Sequence, residues 1–363
     1  MNRPLPPLLP RTTAFALMLA AGCLALPATA RAVTINMVPV GNAGNAADTT
    51  TYGAVAYAYQ IGKYDVTIGQ YAAFLNAVAA TDTYSLYNLN MATNLAIAGI
   101  SRAGASGSYT YSVINNGGDS SNRPITYVSW FDAARFANWM ANGQPTGIQT
   151  GTTTENGAYN VNGATTGSAP PKNATNPSTG LAPTFSIPTE NEWYKAAYFS
   201  PNYGGVGVAG YYDYATQSDT APGNVVGSGT NQANYQNGVF SVTQSASFSA
   251  SQNYLTDVGA FSSSGSFYGT FDQSGDVYQW NDLNGVTGSS RGRRGGFWDN
   301  DGGSTSVSSS NGQAIATTTE GRSTGFRLAA PVAVPEPSTW VMAGVGIACA
   351  GWQGFRRRKR AAG

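Results

Sequence analysis

Histidine is absent from all 363 residues, and cysteine occurs only at Cys23 and Cys349. Both cysteines lie in terminal segments that read as removable. The intervening body, residues 33–334, therefore has no thiol, no disulfide and no imidazole. A Ser-His-Asp or Cys-His nucleophilic arrangement is excluded there. So is a zinc or iron site built on imidazole or thiolate. What remains is chemistry on oxygen: coordination of a hard metal, carboxylate catalysis, or binding. Charge is also scarce, at 10% of residues, while aromatics reach 12% and glycine numbers 45. That aromatic content argues against a disordered chain. Low charge with abundant Gly, Ser, Thr, Asn and Tyr points to long ordered loops rather than a helical bundle.

The formal charge of +1 conceals an acidic body. Three arginines fall in residues 1–32 and five basic residues follow Phe355, leaving 11 of 19 for the body. All acids except Glu336 lie in the body, 17 of 18, so it stands at about −6 with the acids scattered. No basic footprint for nucleic acid exists. A body of this length can bury a sizeable core.

The two ends carry addresses rather than fold. Arg3 and Arg11 precede an apolar run from Ala14 to Leu26 that Pro27 breaks, with small residues around Ala30 and Ala32. This is the pattern of a secretory signal peptide, residues 1–32, cut by signal peptidase. Ala21-Gly22-Cys23 resembles a bacterial lipoprotein processing site, but Ala20 stands where leucine is usual and apolar sequence continues past Cys23. Ordinary cleavage near residues 30–32 is the reading. At the other end, after a linker at 331–334, Pro335-Glu336-Pro337 precedes an uncharged run from Thr339 to Phe355. Its length, about 25 Å as a helix, is near the lower limit for crossing a bilayer. Arg356, Arg357, Arg358, Lys359 and Arg360 follow, which keeps that end cytoplasmic and the body outside. The order PEP, apolar helix, basic cluster closely resembles the PEP-CTERM sorting signal of Gram-negative bacteria. The resemblance implies recognition of Pro335, Glu336 and Pro337 by an exosortase and removal of residues 335–363. It also implies transient inner-membrane anchoring and a destination on the cell surface or in the extracellular matrix, commonly linked to exopolysaccharide and biofilm.

Within the body, one device recurs three times. Thr67 with Gln70, Ser129 with Asp132, and Thr189 with Glu192 each place a hydroxyl cap three residues before an acceptor, the pattern of a capping box. Val66 and Tyr71 stand at staple spacing around the first. Tyr71, Phe74, Leu75 and Val78 form an inward stripe on the first helix. Phe136, Trp139 and Met140 do so on the second, and Trp193, Ala196 and Ala197 on the third. Strands are expected over Val33 to Val40 and Tyr57 to Val66. Thr152 to Val161 reads as a hairpin, Pro170 to Pro177 as a surface loop, and the chain beyond residue 200 shows no helical period. The last third carries the large apolar anchors Trp280, Phe297, Trp298 and Phe326. Gly295 and Gly296 permit positive φ or close approach. Arg294 and Arg327 are placed to pair with buried carboxylates or carbonyls.

Several of these blocks together resemble the formylglycine-generating enzyme, or sulfatase-modifying factor, family. They are Tyr59 to Val78, Pro124 to Met140, Ser186 to Ala197, GDVYQW (Gly275 to Trp280), RGGFW (Arg294 to Trp298) and GFR (Gly325 to Arg327). Their order covers nearly all of 57–329 and implies one α+β domain, residues 33–330, of C-type-lectin-like fold, loop-rich with few short helices and strands. The departures matter as much. The family's oxidases use two cysteines with copper shortly after RGGSW; here the tract is Asp299-Asn300-Asp301-Gly302-Gly303-Ser304. Related sulfoxide synthases hold iron with histidines. Neither copper nor iron is expected.

The resemblance also implies calcium sites. Asn234 with the carbonyls of Tyr235 and Phe261 matches one, although Gly259 stands where an acid is usual. In the other, Asp276 replaces Asn and Gln279 replaces Glu. The leading functional expectation is an exported, non-catalytic surface or matrix protein whose loops bind a glycan or another surface protein. Trp298 with Asp299, Asn300 and Asp301 is the expected ligand site, an indole face beside convergent acceptors. The alternatives are an enzyme using a carboxylate pair drawn from Asp276, Asp299 and Asp301, and a structural matrix component with no discrete ligand.

Overall fold

The computed structural model describes residues 32–300 and 303–332. The expected signal peptide, the PEP motif with its apolar helix, and Asp301 lie outside the described residues.

All three capping boxes form. Thr67 opens α1 (Ile68–Val78), Ser129 opens α3 (Trp130–Ala141) and Thr189 opens α4 (Glu190–Tyr198), and each box makes both of its reciprocal hydrogen bonds. Each box satisfies N–H groups that a helix start leaves unpaired. A four-residue turn, α2 (Asn90–Thr93), lies between α1 and α3. The expected stripes face inward. Phe74 of α1 meets Phe136 of α3 with ring centroids 5.3 Å apart, and Phe136 meets Phe326 at 5.4 Å. The staple residues Val66 and Tyr71 are buried in the same cluster.

The strands are short. β1 (Met37–Val40) pairs antiparallel with β2 (Tyr59–Gly62). β2 also pairs with β11 (Ala329–Pro331), so the start and end of the domain share one sheet. Pro331 belongs to this strand, one residue into the expected linker. A four-stranded sheet runs in the order β10 (Thr324–Phe326), β7 (Tyr278–Asn281), β8 (Ser290–Arg294), β9 (Gly312–Ala316), with β10 and β7 parallel. Two hairpins complete the count of named strands: β3 (Ile100–Ala103) with β4 (Thr110–Val113), and β5 (Phe199–Ser200) with β6 (Gly210–Tyr211). Beyond β5, the one helical element among the described residues is a 3-10 turn at Gly303–Val307.

The hairpin expected over Thr152 to Val161 is not there. That segment is a coil wound around Glu155, whose carboxylate accepts Nε and Nη2 of Arg135 at 2.7 and 2.9 Å and the Gly163 N–H at 2.7 Å. Asn138 of α3 donates to the carbonyls of Thr154 and Tyr159. A buried ion pair and a side-chain amide do what a strand ladder was expected to do. The loop at 170–177 is mostly exposed as expected, with Asn176 buried as its anchor.

β7 is buried along its whole length, and its polar residues are consumed internally. Gln279 accepts from Trp193 Nε1 and Arg327 Nε, both at 2.6 Å, and donates to the Asp272 carbonyl at 2.8 Å and to Asp65 at 3.2 Å. Arg327 is fully buried. It reaches the carbonyls of Gly62 at 2.9 Å and Phe271 at 2.7 Å and lies 3.6 Å from Asp65. Burial pushes the Asp65 carboxyl up to about 8, with Arg327 pulling against that rise. Replacing Arg327 by Lys keeps one charge but cannot span these partners. We expect Arg327→Lys to destabilise by roughly 3 kcal/mol, the scale of a broken buried pair. Urea denaturation measures it; a midpoint equal to wild type contradicts the bridging role.

Candidate functional site

Among the described residues, the expected ligand site is taken up by contacts within the protein itself. Trp298 is fully buried and stacks on Tyr254 with centroids 4.9 Å apart and planes 5° from parallel. The Arg322 guanidinium lies 5.2 Å from its ring. The indole faces a cluster of Phe240, Tyr254 and Val277 and offers no open platform for a sugar. Asp299 is ion-paired with Arg322, and Asn300 accepts the Tyr278 hydroxyl at 3.0 Å. Large aromatics beside glycine packed rather than displayed themselves. Gly296 explains why the backbone is glycine here. It has φ +73°, and a Cβ would fall 2.5 Å from the Ser306 carbonyl.

The expected calcium ligands divide. Gln279 has both amide lone pairs and both protons engaged, so it does not fit as a ligand. Asp276, with φ +61°, accepts from Asn234 Nδ2 at 2.9 Å and Thr256 Oγ at 2.8 Å. Burial, with Asp272 adding to it, pushes the Asp276 carboxyl well above the usual range. Among the described residues, no group of three acidic side chains could hold a metal ion. Asn234 is different. Its amide donates to the Tyr254 carbonyl and to Asp276, both at 2.9 Å, which fixes its orientation. That leaves Oδ1 buried without a partner, so Asn234 fits an oxygen-seeking ion. The Tyr235 carbonyl accepts from Asn224 Nδ2 at 3.2 Å and Ser241 Oγ at 3.3 Å, so it is already engaged twice, and the Phe261 carbonyl accepts from the Ser264 N–H at 2.9 Å.

A cleft of about 1020 Å³ lies elsewhere, between the 42–50 loop and the β5–β6 hairpin. One wall is the loop. Asn45 Nδ2 donates to the Gly53 carbonyl at 2.8 Å and to the Tyr211 hydroxyl at 2.6 Å. Asp48 caps its own turn by accepting from Thr49 N at 2.6 Å and Thr50 Oγ1 at 3.0 Å, and it also takes the Tyr194 hydroxyl. These donors outweigh desolvation and hold the Asp48 carboxyl below its usual value. The second wall is the hairpin. Tyr203 is 39% exposed, packs edge-on against Tyr212 at 5.0 Å, and donates to Asp219 at 2.9 Å. The floor includes Ser309, whose carbonyl accepts Arg294 Nη1 at 2.9 Å while Arg294 Nε holds Glu190 at 2.7 Å. The arginine of RGGFW thus braces the cleft from beneath. Partial burial and the neighbouring Asp219 and Asp48 raise the Asp213 carboxyl.

The sequence reading missed this cleft. Gly41 to Asp48 falls between the two expected strands, and glycine stands beside the tyrosines at 203 and 211. No local signal shows that stretches about 150 residues apart close on one another.

The body is a single loop-rich α+β domain with few short helices and strands. A family model described as "Sulfatase-modifying factor enzyme 1-like domain" matches residues 27–332, and the chain belongs to that family. A second model, the PEP-CTERM protein-sorting motif, matches residues 333–358, which implies export and exosortase processing. No curated protein matches the chain. Among solved structures it is similar to CarF, at 20% identity over 82% of this chain and 99% of that one, TM-score 0.44. Treponema denticola variable protein 1 matches at 18% over 84% and 97%, TM-score 0.45. PvdO from Pseudomonas aeruginosa matches at 16% over 82% and 92%, TM-score 0.37. Among the described residues no helix is long and apolar enough to cross a membrane; the expected one at 339–355 lies outside them.

One buried group ties the cleft loop to α4. Lys195 has no exposed surface, donates to the Asn42 carbonyl at 2.9 Å, and has its pKa pushed down to about 8 by burial. The unfolded chain then binds more protons between about pH 8 and 10.5, so stability rises with pH across that window. Lys195→Met should lack this rise and equal or exceed wild-type stability at pH 7. Denaturation midpoints at pH 7.5 and 9.5 check it; a mutant that keeps the rise refutes the assignment.

Proposed function

We propose that this protein is an exported, non-catalytic binding protein of the cell surface or extracellular matrix, and that its ligand site is the cleft between the 42–50 loop and the β5–β6 hairpin. The observation that carries the reading is the cleft itself. It is large enough for a chain ligand, has exposed tyrosine on one wall, and is lined by amide, hydroxyl and carboxylate groups on the other. The ligand class is a glycan or another surface protein. Polar groups that accept or donate without reacting, in a body lacking His and Cys, favour binding over turnover. The full chain in detergent should bind oligosaccharides on a glycan array, and Tyr203→Ala should weaken that binding about tenfold, the scale of one lost aromatic contact. Undiminished binding by Tyr203→Ala moves the site elsewhere.

A second reading has one observation behind it. Asp48 and Asp213 line the same cleft, with one carboxyl held low and the other raised. That is the arrangement a carboxylate hydrolase uses to divide acid and base roles. Cleavage of a bound oligosaccharide by the wild type, lost in Asp213→Asn, would replace the binding role with this one.

For calcium, the proposal narrows to Asn234 Oδ1 with the Phe261 carbonyl, and with the Tyr235 carbonyl only if Asn224 or Ser241 gives up its hydrogen bond to it. Such an ion would tie residues 234–235 to the 259–261 turn. Lacking a carboxylate, the site would be weak. A native-state ligand raises stability by mass action, so thermal melts in millimolar calcium should exceed those in chelator by a few degrees. Superimposable melts remove calcium from this chain.

A further inference from the structure

The cleft has a charge pattern that its shape does not require. Asp48 and Asp213 are the charged residues of its lining, and neither lysine nor arginine lines it. Asp48 is saturated by its own turn and by Tyr194. Asp219 accepts the Asp213 N–H at 3.1 Å and the Tyr203 hydroxyl at 2.9 Å. The Asp213 carboxylate is different: it is exposed and takes no hydrogen bond from the described residues. It stands within electrostatic reach of both other acids. Lys195 lies close to the loop, yet its amine is buried and turned to the Asn42 carbonyl. Arg294, under the floor, is neutralised by Glu190. The accessible field in the cleft is therefore negative, with one free acceptor beside an exposed tyrosine ring.

Resting on the reading of this cleft as the ligand site, we propose that it takes a saccharide chain that is uncharged or bears amines, and that it rejects chains carrying uronate, sulfate or phosphate. Sugar hydroxyls or an ammonium donate to Asp213, while a C–H face lies on Tyr203. An anionic sugar brought to the same place meets three carboxylates and no available cation. Such like-charge juxtaposition is a device for excluding wrong partners. The sugar's flat apolar face is what suits Tyr203; a basic peptide would use the acids alone.

Calorimetry on the full chain in detergent, with hexamers of N-acetylglucosamine, glucosamine and mannuronate, tests this. The glucosamine hexamer should bind at least as tightly as the acetylated one, and both at least tenfold tighter than the mannuronate hexamer. Raising the salt should weaken the glucosamine hexamer several-fold and leave the acetylated one unchanged. Asp213→Asn, a change at an exposed side chain, should reduce that salt dependence and narrow the gap to mannuronate. Mannuronate binding as well as the others, and sensitive to Tyr203→Ala, overturns the charge class while keeping the cleft. No hexamer binding that responds to Tyr203→Ala overturns the cleft reading as well. A lysine-rich peptide that binds tighter than every hexamer and depends on Asp213 makes this a peptide site and overturns the proposal.

Discussion

A guanidinium with no access to water must find all of its partners inside the protein, and Arg327 does so at the point where both sheets meet. It touches the Gly62 carbonyl of β2, the Phe271 carbonyl ahead of β7, Gln279 of β7, and Asp65. Removing a charge of this kind from water costs several kcal/mol, and the cost is offset only when geometry is fixed on every side. The requirement acts in both directions. The surrounding backbone must hold its position for Arg327 to be satisfied, and Arg327 in turn fixes where β2 and β7 sit. Gln279 transmits the constraint to α4 through Trp193.

The same device is repeated wherever regular structure is thin. Arg135 with Glu155 organises the coil after α3. Arg291 with Asp282, which also accepts from Trp130 Nε1 at 2.8 Å, joins β8 to the region after β7. Arg294 with Glu190 joins β8 to α4 and supports the cleft floor. In each case the planar fork of arginine reaches a carboxylate and nearby carbonyls at once, which lysine could not do. A body without disulfides uses buried forks of this type to fix loops that short strands cannot.

This arrangement separates the scaffold from the cleft. The residues kept from the family blocks, Arg294, Trp298 and Arg327 among them, are buried and structural here, as is Gln279, which replaces a Glu. Of the tract after RGGFW, Asp299 is paired with Arg322 and Asn300 with Tyr278. The cleft of about 1020 Å³ is lined mainly by segments outside those blocks, the 42–50 loop and the 201–209 turn. Loops on a rigid base are where binding groups are usually carried.

The three helices, the single α+β domain, the sorting tail and the family were all legible in the chain. Each rests on residues close together in sequence: a cap and its acceptor three apart, a stripe of apolar residues, a motif of five. Excluding thiol and imidazole chemistry needed only a count. Tertiary structure decided the rest. Whether Trp298 displayed its face depended on Tyr254, 44 positions away; whether Gln279 could hold a metal depended on Trp193, Asp65 and Arg327. The cleft required Asn45 to meet Tyr211. Local pattern determines which backbone segments can form, because caps and periodicity act over one or two turns. Exposure and free lone pairs are properties of what packs alongside, and the chain brings those neighbours together only when it folds.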